Sequence, residues 1–214
     1  MENKRKLLTT KERLAINLTS LQEQSLVGNL CGDGTLRRKN MKQNTKLTFS
    51  QSGKENKKEY FNHIYQIFKP LCTSNHSPNI YSRLDPRYNM TYTTISFSTM
   101  QLPCFNVYFD WFFNNGIKII PLNIMEIFTP ISLAHLIMDD GCYTGYAITI
   151  ATCAFDSDSI DRLLLVFREK FNLKCTITNS KSGPRIYIPA ESMNQLNTLI
   201  APFMVPSMMY KLGK

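Results

Sequence analysis

Two nine-residue stretches of this 214-residue chain end alike. The first is Leu26-Val27-Gly28-Asn29-Leu30-Cys31-Gly32-Asp33-Gly34; the second is Leu133-Ala134-His135-Leu136-Ile137-Met138-Asp139-Asp140-Gly141. Each is mostly apolar, carries small residues and closes on an acid followed by glycine, a usual helix stop. A carboxylate at a helix C-terminus meets the negative end of the macrodipole, which favours cations. Something must compensate, and a divalent cation would serve. If the two helices lie side by side, Asp33 and Asp140 converge, and like charges at short range need a metal or a proton between them. Gly28 and Gly32, four apart, leave room for a second helix to approach closely. A single Asp-Gly after a helix is ordinarily a turn; two with matched flanks point to a paired site.

The elements that must position these acids read as follows. Residues 1–19 are polar and charged and form an arm. A helix starts at Ser20, which caps it with Glu23 three residues on. Thr35 to Ser52 reads as two strands with a basic tip, and Glu55 to Phe68 as a helix closed by Pro70. Asn79–Arg83 and Asn89–Ser98 are extended, the latter rich in Thr, Tyr and Ile. Leu102–Phe113 reads as a helix, and Ile117–Ile127 as an irregular connection. The order then repeats. Ile131–Asp140 is a helix, Tyr143–Cys153 a hairpin, and Asp156 or Ser157 caps a helix to Phe171. Cys175–Asn179 and Arg185–Ile188 are strands, Glu191–Phe203 is a helix, and Met208–Lys214 is a basic tail. Asp140 lies about 107 residues after Asp33, an internal duplication that predicts pseudo-two-fold symmetry within one chain. Helices mixed with antiparallel pairs make the class α+β. The units are an arm (1–19), a first repeat (20–116), a linker (117–129) and a second repeat (130–214).

Composition narrows the partner. Lys plus Arg is 25 against 16 Asp plus Glu, a formal charge of +9. That excess favours nucleic acid before a membrane surface. No apolar run is long enough for a membrane span, and the basic N-terminus lacks the apolar stretch of a secretory signal. The six cysteines are scattered without C-x-x-C pairs or zinc spacing, which reads as reduced thiols. The three histidines stand apart and offer no metal site.

The two stretches resemble the paired motifs of LAGLIDADG homing endonucleases. The second matches that nonapeptide at Leu133, Ala134, Leu136, Ile137, Asp140 and Gly141; the first matches at Leu26, Gly28, Asp33 and Gly34. Pro130-Ile131-Ser132-Leu133-Ala134 and Pro206-Ser207-Met208-Met209-Tyr210-Lys211-Leu212 are similar to the single-chain, two-motif branch typified by mitochondrial intron endonucleases. The resemblance implies a duplicated αββαββα fold whose curved antiparallel sheets form a DNA-binding saddle. It implies Mg²⁺, with Mn²⁺ as a substitute, held by Asp33 and Asp140 and by the carbonyls of Gly32 and Asp139. A basic residue near each acid is expected, here Lys118 and Lys211, to polarise water or offset phosphate charge. Gln51 is the expected water-orienting group of the first repeat. Cys153 stands where relatives often carry Gln in the second, and His135 replaces a usually small residue. DNA contacts fall to Arg37, Arg38, Lys39, Asn44, Lys46, Arg83, Arg87, Lys174, Thr176, Thr178, Lys181 and Arg185. The hairpin after Asp140 is short and uncharged, so the half-site contacts should be unequal.

The resemblance implies a monomeric, site-specific endonuclease that hydrolyses both strands of a long asymmetric target. Its gene would be intron-borne and organellar, mitochondrial or chloroplast, in keeping with AT-rich residue usage. The rival reading is a group I intron RNA maturase of the same fold, since a basic surface serves either polyanion.

Overall fold

The computed structural model describes residues 8–73 and 76–214; residues 1–7 of the expected arm lie outside the described residues. The remainder of the arm carries one short helix, α1 (Thr10–Leu14). The first repeat then runs α2 (Ser20–Cys31), β1 (Thr35–Arg37), β2 (Lys46–Ser52), α3 (Glu55–Phe68), β3 (Asn79–Asp85), β4 (Met90–Ser98) and α4 (Asn106–Phe112). A connection follows with β5 (Phe113–Asn114), β6 (Ile117–Lys118) and α5 (Ile124–Ile127). The second repeat is α6 (Pro130–Asp140), β7 (Gly141–Tyr143), β8 (Ile148–Ala151), α7 (Ser157–Leu165), β9 (Thr176–Ser180), β10 (Gly183–Ile188) and α8 (Met193–Ile200). No described helix is long and apolar enough to cross a membrane.

The duplication is visible in the sheets. Strand order is β1-β2-β4-β3 in the first and β7-β8-β10-β9 in the second, all antiparallel. Period-two alternation sorts each strand's side chains between a helix-covered face and an open face. In β2, Leu47, Phe49 and Gln51 are buried while Lys46, Thr48 and Ser50 are not. The first core is aromatic, with Phe49 and Phe97 against Phe61 and Tyr60 of α3. The second is aliphatic in its sheet, where Ile148, Ile150, Ile186 and Ile188 are fully buried.

Several boundaries differ from the sequence reading, for local reasons. The cap of α2 is Thr19, not Ser20. Its hydroxyl accepts from Gln22 N and Gln22 Oε1 accepts from Thr19 N, so Gln serves as the reciprocal partner in place of Glu23. Leu102–Phe113 is not one helix: Pro103 starts a 3₁₀ turn before α4, and Phe113 has turned extended to pair with Lys118. The connection is thus less irregular than expected, because that two-strand ladder fixes Lys118. The helix α7 ends at Leu165 in a π turn, Val166–Lys170. The last helix is only α8, with 3₁₀ turns on either side. The expected basic tail is a 3₁₀ helix, Pro206–Leu212, that buries Met208, Lys211 and Leu212.

The helices α2 and α6 meet at the centre. A Cβ on Gly28 would stand 2.5 Å from Ser132 O and 2.9 Å from His135 Cβ; one on Gly32 would stand 2.7 Å from Asp139 Cβ. The two glycines therefore do what their spacing suggested. Ser132 Oγ donates to Gln24 O at 2.8 Å and ties the helices near their N-terminal ends. His135 fills the room left by Gly28 and is 1% exposed. Burial, followed by the neighbouring His63, pushes its pKa from 6.5 down to about 3.

Two predictions come from this interface. Gly28→Ala should cost about 1–3 kcal/mol by overpacking and lower the thermal midpoint by about 2–4 °C per kcal/mol; an unchanged melt would contradict the close approach. His135 is neutral when folded, whereas the unfolded chain protonates it below pH 6.5. The stability it contributes above that pH is lost as pH falls toward about 3, by up to about 1.4 kcal/mol per pH unit. The melts of His135→Gln, taken with EDTA from pH 6.5 to 4.5, should fall less steeply than those of the parent protein.

Candidate active site

Because α2 and α6 pack so closely, their C-terminal ends deliver Asp33, Asp139 and Asp140 to one place. Gln51 on β2, 6% exposed, reaches in from the first sheet. Its Nε2 donates to Asp33 Oδ2 at 2.6 Å and to Asp139 Oδ1 at 3.0 Å. Asp139 Oδ2 also accepts from Asp33 N at 3.2 Å and from Asn29 Nδ2 at 3.5 Å. Tyr60 OH donates to His135 O and accepts from Asn29 Nδ2. Thus a carboxyl of the second repeat is held almost entirely by the first.

The Asp139 side chain was missed by sequence reasoning, which used only its carbonyl. The available signal was its position: it occupies the place in the second motif that Gly32 holds in the first. Burial, then the charges of Asp33 and Asp140, raises its pKa well above the usual carboxylate range, as expected of an enclosed acid among like charges. Asp140 is less enclosed. Burial and then Asp33 lift it to about 6, against the pull of Lys118, Lys211 and Lys57.

Each helix end also receives a lysine. Lys118 Nζ donates to Gly32 O at 2.6 Å and Gly34 O at 2.9 Å. Lys211 Nζ donates to Ile137 O at 3.0 Å, Met138 O at 2.6 Å and Asp139 O at 3.0 Å. These ammoniums bond carbonyls at and just past the helix ends, sharing Ile137 O with the Gly141 N–H, and supply positive charge where the dipole needs it. Lys211 is 5% exposed, and burial, followed by Lys57, lowers its pKa to about 8. Burial also lowers Lys118. The two carbonyls expected as metal ligands, Gly32 O and Asp139 O, are therefore already lysine acceptors.

The donor chemistry fits a hard cation. Asp33 and Asp140 offer carboxylate oxygens at the site, while the Cys31 thiol beside Lys118 and Asp140 is buried and its pKa is pushed up to about 12 by that burial. Among the described residues no group of three or more His, Cys, Asp or Glu side chains is arranged to hold a metal. An ion here would complete its shell with water or with oxygens of a ligand such as phosphate.

Sheet register corrects the expected counterpart of Gln51. Thr35 pairs Thr48 in the first repeat, and Cys142 pairs Thr149 in the second. Since Thr35 and Cys142 each follow their Asp by two, Thr48 matches Thr149 and Gln51 matches Thr152. Cys153 is one residue out and exposed. Thr152 is buried and its Oγ1 donates to Pro184 O at 2.8 Å, so it is turned to its own sheet.

The open faces of the sheets carry half of the expected DNA contacts. Arg37, Lys46 and Arg83 lie in register on the first, and Thr176, Thr178 and Arg185 on the second. Lys39 is exposed just past β1, and Lys181 is exposed at the β9–β10 turn. The other four are engaged elsewhere. Arg38 is held by Asp110 at 3.0 Å and by the carbonyls of Gln43 and Met41, with its side chain 10% exposed. Asn44 Oδ1 accepts from Asn106. Arg87 is paired with Asp85 at 2.7 Å beside β3, and Lys174 with Glu191 at 2.7 Å. Register adds uncharged members that a search for basic residues passes over: Thr48, Ser50, Ser96, Ser98, Tyr81 and Tyr92 on the first face, Thr149 and Tyr187 on the second.

The pattern of the LAGLIDADG DNA endonuclease family matches residues 23–196. Cytochrome b mRNA maturase bI2 of Saccharomyces cerevisiae is 31% identical, over 100% of this chain and 51% of its own length. The chain thus spans about half of that relative. Probable intron-encoded endonuclease 1 of Wickerhamomyces canadensis is 29% identical over 97% of this chain and 90% of its own. The solved structure of the homing endonuclease I-WcaI bound to its DNA recognition sequence aligns with a TM-score of 0.85 and 28% identity, covering 94% of this chain and 91% of that one. With both acid-ended helices and both four-stranded sheets inside or overlapping the matched span, the chain belongs to the LAGLIDADG DNA endonuclease family.

Proposed function

We propose that this chain is a site-specific double-strand DNA endonuclease that uses Mg²⁺, or Mn²⁺ in its place, and acts as a monomer. The observation that carries the reading is the pairing at the centre: two helix ends, each with an acid and each with a lysine, Lys118 or Lys211, on its last carbonyls. The relatives named as intron-encoded and homing endonucleases support it. We place the gene in an organellar intron, and keep 20–116 and 130–214 as the repeats, joined by 117–129 and preceded by an arm, 1–19.

Asp33 and Asp140 would hold the cation. Once bound, such an ion supplies charge neutralisation and a more acidic water for phosphodiester hydrolysis. The chain's own groups do the rest. Lys118 and Lys211 set positive charge where phosphate charge develops. Gln51 donates to Asp33 and is the group placed to orient a water beside it. The arginines, hydroxyls and tyrosines of the open faces contact phosphates and base edges. The first sheet has the longer outer strands and the more basic face, so its half-site would be contacted more heavily.

A second reading keeps some weight on one observation: the 31% identical yeast relative is named a maturase. Group I intron RNA would then be the partner, on the same or another basic surface.

The test uses DNA carrying the intronless exon junction at the gene's own insertion point. The protein should cut it with Mg²⁺ and not with EDTA. Asp33→Asn and Asp140→Asn should lose double-strand cutting while affinity changes less than about tenfold, or about 1.4 kcal/mol. Lys118→Ala and Lys211→Ala should be slowed by about 10²–10³-fold. Binding without cutting by the parent protein, with tight binding to the intron RNA, would favour the maturase.

A further inference from the structure

The end of α6 is closed by two ammoniums, not one. Lys57, half-buried on α3, donates from Nζ to Met138 O at 3.2 Å. Lys211 Nζ reaches the same carbonyl at 2.6 Å. Two cations on one acceptor repel each other and are stable together only where negative charge is shared between them. Asp140 supplies part of that charge. Lys57 has no competing use: among the described residues it forms no ion pair, whereas its neighbour Lys58 is paired with Glu55.

The other helix end lacks this group. Lys57 is the third residue after the α3 cap, Lys54; the third after the α7 cap, Asp156, is Ser159. Ser159 Oγ accepts from Ile120 N at 2.9 Å, in the connection beside Lys118. Counted from the caps Lys57 meets Ser159, whereas the buried faces, Tyr60, Phe61, Ile64 and Tyr65 against Ser159, Ile160, Leu163 and Leu164, set it opposite Asp156; on either count α7 has no lysine there. The converse asymmetry concerns Gln51, whose register partner Thr152 is turned away. So Gln51 and Lys118 stand at the α2 end and Lys211 and Lys57 at the α6 end, with Lys118 also drawing on Asp140 across the centre.

We propose that Lys57, contributed by the first repeat, is a positioning residue of the Asp140 half of the site, fixing Lys211 and adding positive charge for the phosphate cut there. It takes the place in that half that Gln51 holds in the other. The two strands are then cut by unlike sets of side chains. This inference rests on the endonuclease reading.

The experiment follows each strand separately. A supercoiled plasmid carrying the intronless junction is cut with Mg²⁺ by the parent protein and by Lys57→Met, Lys57→Arg, Lys58→Met and Lys211→Met. Lys57→Met should slow one strand by about 10–10²-fold, leave the other within about twofold, and accumulate nicked circle. The slowed strand should be the one that Lys211→Met slows more, Lys57→Arg should restore most of the balance, and Lys58→Met should change neither rate. Equal slowing of both strands, or no slowing, with an active parent protein overturns the proposal alone. A parent protein that cuts neither strand overturns the endonuclease reading and this inference with it.

Discussion

The close approach of α2 and α6 is the constraint on which the rest depends. Gly28 and Gly32 lack the atoms that would hold the helices apart, and Ser132, His135 and Asp139 occupy the space so released. Only at that separation do the two C-terminal ends fall within reach of a single side chain such as Gln51. The same packing crosses the repeats. Ser132 bonds α2, Asp139 bonds Asp33 N, and Tyr60 bonds the α6 carbonyl of His135. The halves are thus joined by buried polar contacts that have no alternative partners in an apolar core.

That packing raises an electrostatic problem, since it gathers carboxylates at the negative ends of two helices. From sequence, a metal was the compensation to expect. The structure adds two others. Lysines from distant segments cap the terminal carbonyls, and the most enclosed acid, Asp139, is met by donors from Gln51, Asn29 and Asp33 N. The helix ends are therefore stabilised by the chain itself. Asp33 and Asp140 remain the acids with accessible charge, which separates the residues that build the site from those free to act on a ligand.

Much of this was legible because it is local. The acid-glycine ends, the glycine spacing of α2, the bounds of α3 and the alternation of β2 all follow from periodicity within about ten residues. The duplication made them legible twice, and the two sheet orders agree with it. What was not legible depends on partners far along the chain. Nothing near Arg38 announces Asp110, and nothing near Lys174 announces Glu191. Lys57 reads as an ordinary solvated helix residue until α6 is placed beneath it. The likeness of the stretch Ala151–Phe155 points to Cys153 as the counterpart of Gln51, and only strand register puts Thr152 there. A one-residue slip moves a side chain to the other face.

The differences between the repeats are not scattered. Where α2 has Gly28 and Gly32, α6 has His135 and Asp139, and each large residue fills the gap opposite a small one. Where β2 has Gln51, β8 is followed by Thr152, turned to its own sheet. Where α3 has Lys57, the matching turn of α7 has no lysine but Asp156 and Ser159, each bonded to backbone. A homodimer could hold none of these pairs, since an interface between identical copies offers the same residue on both sides. A single chain with two repeats can place large against small and charged against neutral across its own pseudo-axis. The centre of this protein is built from such unlike pairs, so its two half-sites share a geometry while differing in the groups that line them.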